Sequence, residues 1–340
     1  MIPPLRLSAL GLLAGFLSVA RVHSTSAVDV LKPVAALPAH IAGSFQELTS
    51  CQQATGGEYF IFDRRAHSIF VVPPSMEGAR KLIEIGTEPG RILDPTAFDM
   101  APDDTFVVAD APHGQPRFQR FLASGSTLSA FLLEDRAVPR ILLGNLVMNG
   151  IGAVEYTGRA LFVSQPEHGA LITEYSIDGR GIRSFGELRA TGQESDRPVH
   201  VALNAGLVIA LPDGGFYFVF LAGVPQFRKY NASGRLLLDR HVQGPELDDF
   251  IPALPNTWKR RKTADGEIPV VAPSVYAAGA DRSGALWISL AVGTTFVYDA
   301  AGEKRRSVRF RAAGELSPRS FWFTANGRVL VTPGCYAFPV

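Results

Sequence analysis

Residues 95–110 read PTAFDMAPDDTFVVAD, residues 117–125 RFQRFLASG and residues 126–133 STLSAFLL. Short apolar runs separated by Asp- and Gly-bearing turns are strand signals, here four in succession. The plan returns three times. It appears as ALPDGGFYFVF (210–220), FRKYNASG (227–234) and 235–242. It appears again as ADRSGALWIS (280–289), TFVYDAAG (295–302) and 304–310, and as RALFV (159–163), LITEYSIDG (171–179) and 182–188. The Asp-Gly and Ser-Gly pairs supply the positive φ that tight hairpins need. A four-stranded meander cannot bury both faces alone, whereas copies stacked face to face around an axis can.

These four units centre on Val107, Phe162, Phe218 and Ile288. A fifth begins near Cys51, with strands at 58–62, 68–72 and 80–85. A sixth has strands only at 320–323, 328–331 and 336–338, so its outer strand is expected from 41–48, before the first unit. An unpaired sheet edge exposes backbone donors and acceptors, and closing the ring with the other terminus removes it. The sequence therefore predicts an all-β fold. It is a six-bladed β-propeller of four-stranded antiparallel blades, one domain over 28–340, its last blade completed by an N-terminal strand. Long segments of helical period are absent after residue 27.

Residues 1–27 read as a signal peptide: Arg6, an apolar run over 7–20, Arg21, then small residues offering cleavage at 22–27. The alternative is an uncleaved N-terminal anchor. The run is short for a membrane span, which takes about 20 residues, and no other segment is long and apolar enough. The expected location is periplasmic or secreted. There two cysteines favour one disulfide, and ring closure brings Cys335 of the last blade close to Cys51 of the first. The 33 basic against 32 acidic side chains give a net charge of +1, which argues against a dedicated nucleic-acid binder.

The strand pattern of 95–110, followed by 117–125, resembles the NHL-type repeat: a proline-led inner strand, an Asp- and Gly-rich turn, a Val-Ala-Asp strand end and an aromatic-bearing third strand. The match is fair around Asp213 and Asp281 and poor elsewhere. The resemblance implies a protein- or ligand-binding platform. Related six-bladed rings include calcium-dependent lactonases and lyases. Their Glu-Gly-Pro entry is absent here, where Gln52, Gln53 and Thr55 stand in the first blade.

The chain carries no His-Glu-x-x-His, no Cys-x-x-Cys, no Gly-x-Ser-x-Gly and no phosphate-binding glycine loop. Two segments stand out instead. In 191–200, Gln193, Glu194, Asp196, Arg197 and His200 crowd together just before Asn204. They either line one mouth of the channel, with His200 as acid, base or ligand, or form a solvated loop. The segment 245–273 breaks the blade rhythm and carries Trp258, Lys259, Arg260, Arg261 and Lys262, suited to an anionic partner. It reads as an insertion that serves binding or covers a blade edge. His113 and His168 fall in equivalent loops, Asp110 at a strand end as a turn-capping acceptor, and Asn231 in a sequon at a hairpin turn. The leading expectation is an exported, non-catalytic platform without a cofactor, recognising a protein or glycan. The alternative is a lactonase- or lyase-like hydrolase with one divalent cation such as Ca²⁺ in the channel, held by Asp94, Asn149, Glu155 and His200.

Overall fold

The structure, a computed structural model, describes residues 28–133, 141–143, 146–148, 152–263 and 266–340. The signal-peptide reading of 1–27 lies outside the described residues. Six four-stranded antiparallel meanders form six blades. Blade 1 comprises Leu48–Gln53, Tyr59–Asp63, Ser68–Val72 and Arg80–Ile83. Blade 2 comprises Ala97–Met100, Phe106–Asp110, Arg117–Phe121 and Thr127–Leu132. Blade 3 comprises Val154–Tyr156, Ala160–Ser164, Ile172–Ser176 and Gly181–Phe185, and blade 4 Gly206–Ala210, Phe216–Phe220, Gln226–Tyr230 and Leu236–His241. Blade 5 is built on Val275–Ala280, Leu286–Leu290, Thr295–Tyr298 and Lys304–Arg311, and blade 6 on Ser320–Phe323, Arg328–Thr332 and Tyr336–Pro339. Each innermost strand packs against the innermost strand of the next blade, the last against the first, which closes the ring.

The burial pattern explains the sequence pattern. The second strand of a blade is sandwiched between neighbours on both faces, so it reads as an unbroken apolar run: Phe106–Asp110, Ala160–Ser164, Phe216–Phe220 and Leu286–Leu290 are buried throughout. Outer strands such as Thr127–Leu132 and Leu236–His241 are mostly exposed. The buried apolar residues fall into six clusters, one at each blade-to-blade interface. Aromatic pairs fill several of them: Phe60–Phe106 between blades 1 and 2, Phe162–Phe216 between 3 and 4, Phe227–Tyr298 between 4 and 5, and Phe310–Phe338 between 5 and 6.

The glycine of the turn between third and fourth strands does more than supply φ. Gly125, Gly179, Gly234 and Gly302 all have φ between +79° and +90°. A Cβ at these positions would collide with Leu82, Phe131, Phe185 and Leu238 respectively, each from the outer edge of the preceding blade. Sequence requirement and blade packing thus coincide at one atom.

Closure is more elaborate than the sequence suggests. The outer strand of blade 6 is Ala35–Ala36, pairing with Ala337 and Tyr336, not 41–48. Residues 39–42 form a short helix whose Ile41 packs under the closure, and 48 already belongs to blade 1. A second segment, Asp29–Leu31, adds in parallel to the outer edge of blade 5, with Asp29 opposite Val308. The N-terminal segment therefore straps two blades before entering the first. Cys51 and Cys335 are disulfide-bonded across this junction, beside Ile41, Ile61 and Leu330.

Three connections between blades assemble a cap. Leu146–Met148, Ile141–Leu143, Gly266–Val271 and Arg260–Thr263 form a further four-stranded sheet, in that order. Ile141–Leu143 pairs in parallel with Gly266–Val271, and helix Arg197–Asn204 packs on both. In a meander all last-to-first connections leave at one end, so the cap covers one face of the ring. The segment 245–273 is thus partly a structured sheet shared with the connection between blades 2 and 3. Among the described residues no helix is long and apolar enough to cross a membrane.

Two outcomes are expected. The Cys51–Cys335 bond closes a 284-residue separation, so replacing both by alanine should cost about 2–5 kcal/mol in denaturant unfolding. Gly179→Ala, which demands both positive φ and displacement of Phe131, should cost about 1–3 kcal/mol; Gly169→Ala, also at positive φ but with open space around it, should cost less.

Candidate functional site

The innermost strands of all six blades enclose a central cavity of about 670 Å³. Its wall is mostly apolar, including Leu207, Ile209, Ala278, Phe321 and Phe323, with polar groups that include Gln52, Asp99, Glu155, Tyr276, Asp281, Arg282 and Arg319. A concave, largely apolar site with a few convergent polar groups is the usual form of a small-molecule site.

Asp99 sits at the third position of blade 2's inner strand and Glu155 at the centre of blade 3's. Both are half-buried and line the lumen. Asp99 is bound from two neighbouring blades. Its Oδ1 accepts from Gln52 Nε2 at 3.0 Å and its Oδ2 from the Tyr156 amide at 2.7 Å. Gln52 Oε1 in turn accepts from the Met100 amide at 2.8 Å. Burial pushes the Asp99 carboxyl up to about 7, against the pull of these donors. Burial also raises Glu155 well above the usual carboxyl range, reinforced by the nearby Asp99 charge and opposed only by the Ala210 amide. The two carboxyls therefore resist being ionised together. Asp99 is the better supplied with donors to its ionised form, from Gln52 Nε2 and the Tyr156 amide.

The residues singled out in the sequence fall into separate groups. Residues 191–196 form a turn and 197–204 a helix. Glu194 Oε1 accepts from the Thr191 and Gly192 amides, and these bonds hold its carboxyl below its usual range. Gln193 donates its amide to Thr191 Oγ1, which also meets His200 Nδ1 at 2.7 Å. Asn204 is buried and bonded to the Arg189 backbone at both ends of its amide. Arg197 donates to the Glu167 carbonyl, and Asp196 pairs with Arg260. Thus 191–200 and 245–273 do meet, in the cap. Trp258 is half-buried against the core between blades 4 and 5, while Lys259, Arg261 and Lys262 are exposed.

The four oxygen or nitrogen donors proposed for a cation have different surroundings. Asp94 is 66% exposed beside His67, His200 lies on the cap helix, Glu155 faces the lumen, and Asn149 is outside the described residues. Ca²⁺ takes six to eight oxygens. In the lumen both Asp99 oxygens and Gln52 Oε1 already accept hydrogen bonds. No group of three or more His, Cys, Asp or Glu is arranged around a metal among the described residues. Among the described residues, Asp94, Glu155 and His200 do not share a site.

His113 and His168 occupy equivalent exposed 3-10 turns, Pro112–Gly114 and Pro166–His168. Asp110 is a buried partner of Arg117, which grips both its oxygens, as well as an acceptor for the Leu93 amide. Asn231 caps its own turn by accepting from Ser233 and Arg235. The sequence reading missed Asp99. Its signal was available: an Asp inside an otherwise buried inner strand, Ala-Phe-Asp-Met, where an apolar residue is the ordinary choice.

No family model matches the chain, and no curated protein matches it in sequence. Solved structures do match in shape. A gluconolactonase from Xanthomonas campestris is 14% identical, with 92% of this chain and 95% of that chain covered at a TM-score of 0.52. A virginiamycin B lyase from Staphylococcus aureus is 12% identical, with 85% and 83% covered at 0.48. At such identity the likeness to the gluconolactonase bears on fold alone, and it agrees with the six-bladed ring.

Raised carboxyl pKa values carry a stability consequence. The native chain keeps protons that the unfolded chain has already lost, so the unfolded state binds fewer protons from the ordinary carboxyl range up to about pH 7. Stability therefore falls as pH rises through that window. Glu155→Gln should melt with the wild type near pH 4 and about 2–4 °C above it at pH 8, measured by calorimetry.

Proposed function

We propose that the central channel is a small-molecule site and that Asp99 and Glu155 form its acid–base pair, making the chain a hydrolase of small esters or lactones. The observation that carries this reading is the pair itself: two lumen-facing carboxyls, one richly supplied with donors and one not, with pKa values displaced towards neutrality. Ionised Asp99 takes a proton from water as its oxygen bonds to the acyl carbon. Protonated Glu155 gives its proton to the departing oxygen as the C–O bond breaks. The products are an acid and an alcohol, or one hydroxy acid from a lactone. Pairs tuned apart in this way are the usual means of running acid and base chemistry together near neutral pH. The name of the gluconolactonase with the same fold is compatible with this reaction class. An exported location accords with the disulfide, and the repeat is read as NHL-type on the pattern of 95–125.

A second reading, a non-catalytic platform for a protein or glycan, is favoured by the exposed basic strand of the cap, Lys259, Arg261 and Lys262 beside the Arg260–Asp196 pair. Replacing those three by serine would then weaken retention on heparin, used as the acidic-glycan probe, without affecting ester turnover.

The enzymatic reading is tested on a panel of small lactones and aryl esters. Turnover should rise through pH about 7 as Asp99 ionises and fall again at higher pH as Glu155 loses its proton. Glu155→Gln should lower kcat/KM about 10²- to 10⁴-fold. Wild-type inactivity across the panel, or a variant as active as the wild type, overturns it. Metal content of chelator-free protein checks the donor argument, since one equivalent of a divalent cation would return the cation-dependent alternative.

A further inference from the structure

Three carboxylates line the lumen: Asp99 and Glu155, and Asp281, which is bonded within its own blade to the Ser283 and Ala285 amides and to Trp287 Nε1. Asp99 and Glu155 belong to blades 2 and 3, whereas the arginines of the wall, Arg282 and Arg319, belong to blades 5 and 6 across the ring. Arg319 immediately precedes the inner strand of blade 6, at the end where inner strands are entered. Arg282 lies in the turn after the inner strand of blade 5, at the opposite end. Arg319 is exposed, and no carboxylate pairs with its side chain among the described residues. Its guanidinium nevertheless has a fixed seat, 3.7 Å from the centroid of the Tyr276 ring, which also lines the lumen.

A stacked guanidinium keeps its N–H edge free, and that planar fork matches a carboxylate. Stacking reduces the rotamer freedom lost when a ligand binds, which favours affinity. The wall also carries apolar side chains, with Phe321 and Phe323 on the strand that follows Arg319 and Leu207 on blade 4. An anion is repelled by ionised Asp99 and so is oriented with its charge on the blade 5–6 side.

We infer that Arg319, seated on Tyr276, is the anchor for a ligand carboxylate, and that the substrate class is a small molecule with an apolar body and one carboxylate, presented with its scissile group towards Glu155. This assignment rests on the channel being the active site and adds what that site selects. Arg319 acts here as a binding residue and takes no part in proton transfer.

The test uses benzoate and its neutral isostere benzamide as probes, titrated calorimetrically into the full chain at pH 6.5 and low salt. Benzoate should bind at least tenfold tighter than benzamide. Arg319→Gln should erase that difference, and Arg319→Lys, which keeps the charge but loses the planar fork, should restore only part of it. Thermal melts establish that both variants are folded. Equal affinity for the two probes, no binding of either to the wild type, or a preference retained in Arg319→Gln overturns the assignment. Because turnover of neutral esters and its loss in Glu155→Gln do not involve a ligand carboxylate, they report on the acid pair separately, and failure of the anchor leaves that reading standing.

Discussion

Ring closure is the constraint on which everything else depends. A blade buries its second strand only because another blade lies on either side, so an open arc would expose two apolar faces and two strand edges. The chain meets this with three devices around the closure. Ala35–Ala36 completes blade 6, Asp29–Leu31 extends blade 5, and the Cys51–Cys335 bond links blade 1 to blade 6. Hydroxyl contacts reinforce it, with Thr332 Oγ1 donating to the Thr49 carbonyl and facing Ser320 Oγ. Closure also creates the lumen, since the six inner strands face one another only when the circle is complete.

Within the closed ring, the polar groups of the channel tie blades together. Gln52 of blade 1, Asp99 of blade 2 and the Tyr156 amide of blade 3 form one continuous hydrogen-bonded run. Glu155 continues it towards Ala210 of blade 4. Burying two carboxyls in this run opposes stability at neutral pH, because their charged forms lose hydration and repel each other. The glycine-lined turns and aromatic interfaces offset that cost elsewhere in the ring.

The blade plan was legible because its signals are local. The Asp-Gly and Ser-Gly turns, the apolar second strands and the repeated order of strands all lie within about 40 residues of one another, as propeller repeats do. The disulfide was legible because closure of the ring leaves its two cysteines at one junction. The closing strand was not. Ala35–Ala36 is two residues long, without alternation, whereas 41–48 lies just before the first blade; the structure uses 41–42 in a short helix under the closure and 48 in blade 1. The cap was hidden for a similar reason: its pairing of 141–143 with 266–271 is parallel and joins segments more than a hundred residues apart. Of the site, Glu155 was visible as a carboxylate near an inner strand, but its partnership with Asp99 arises only from the packing of adjacent blades. The polar run 191–200 drew notice by composition, yet Glu194, Thr191 and His200 bond within the turn and cap helix, and Asp196 and Arg197 pair with Arg260 and the Glu167 carbonyl.

The central claim is that the lumen holds two carboxyls tuned apart by burial and mutual repulsion. Carbon-13 shifts of the Asp99 and Glu155 carboxyl carbons, assigned with Asp99→Asn and Glu155→Gln and followed from pH 3 to 10, measure this directly. The account predicts an Asp99 transition at about 7 and a Glu155 transition well above the ordinary glutamate range, the latter moved down when Asp99 is neutralised. Two independent transitions at ordinary carboxyl values would contradict it.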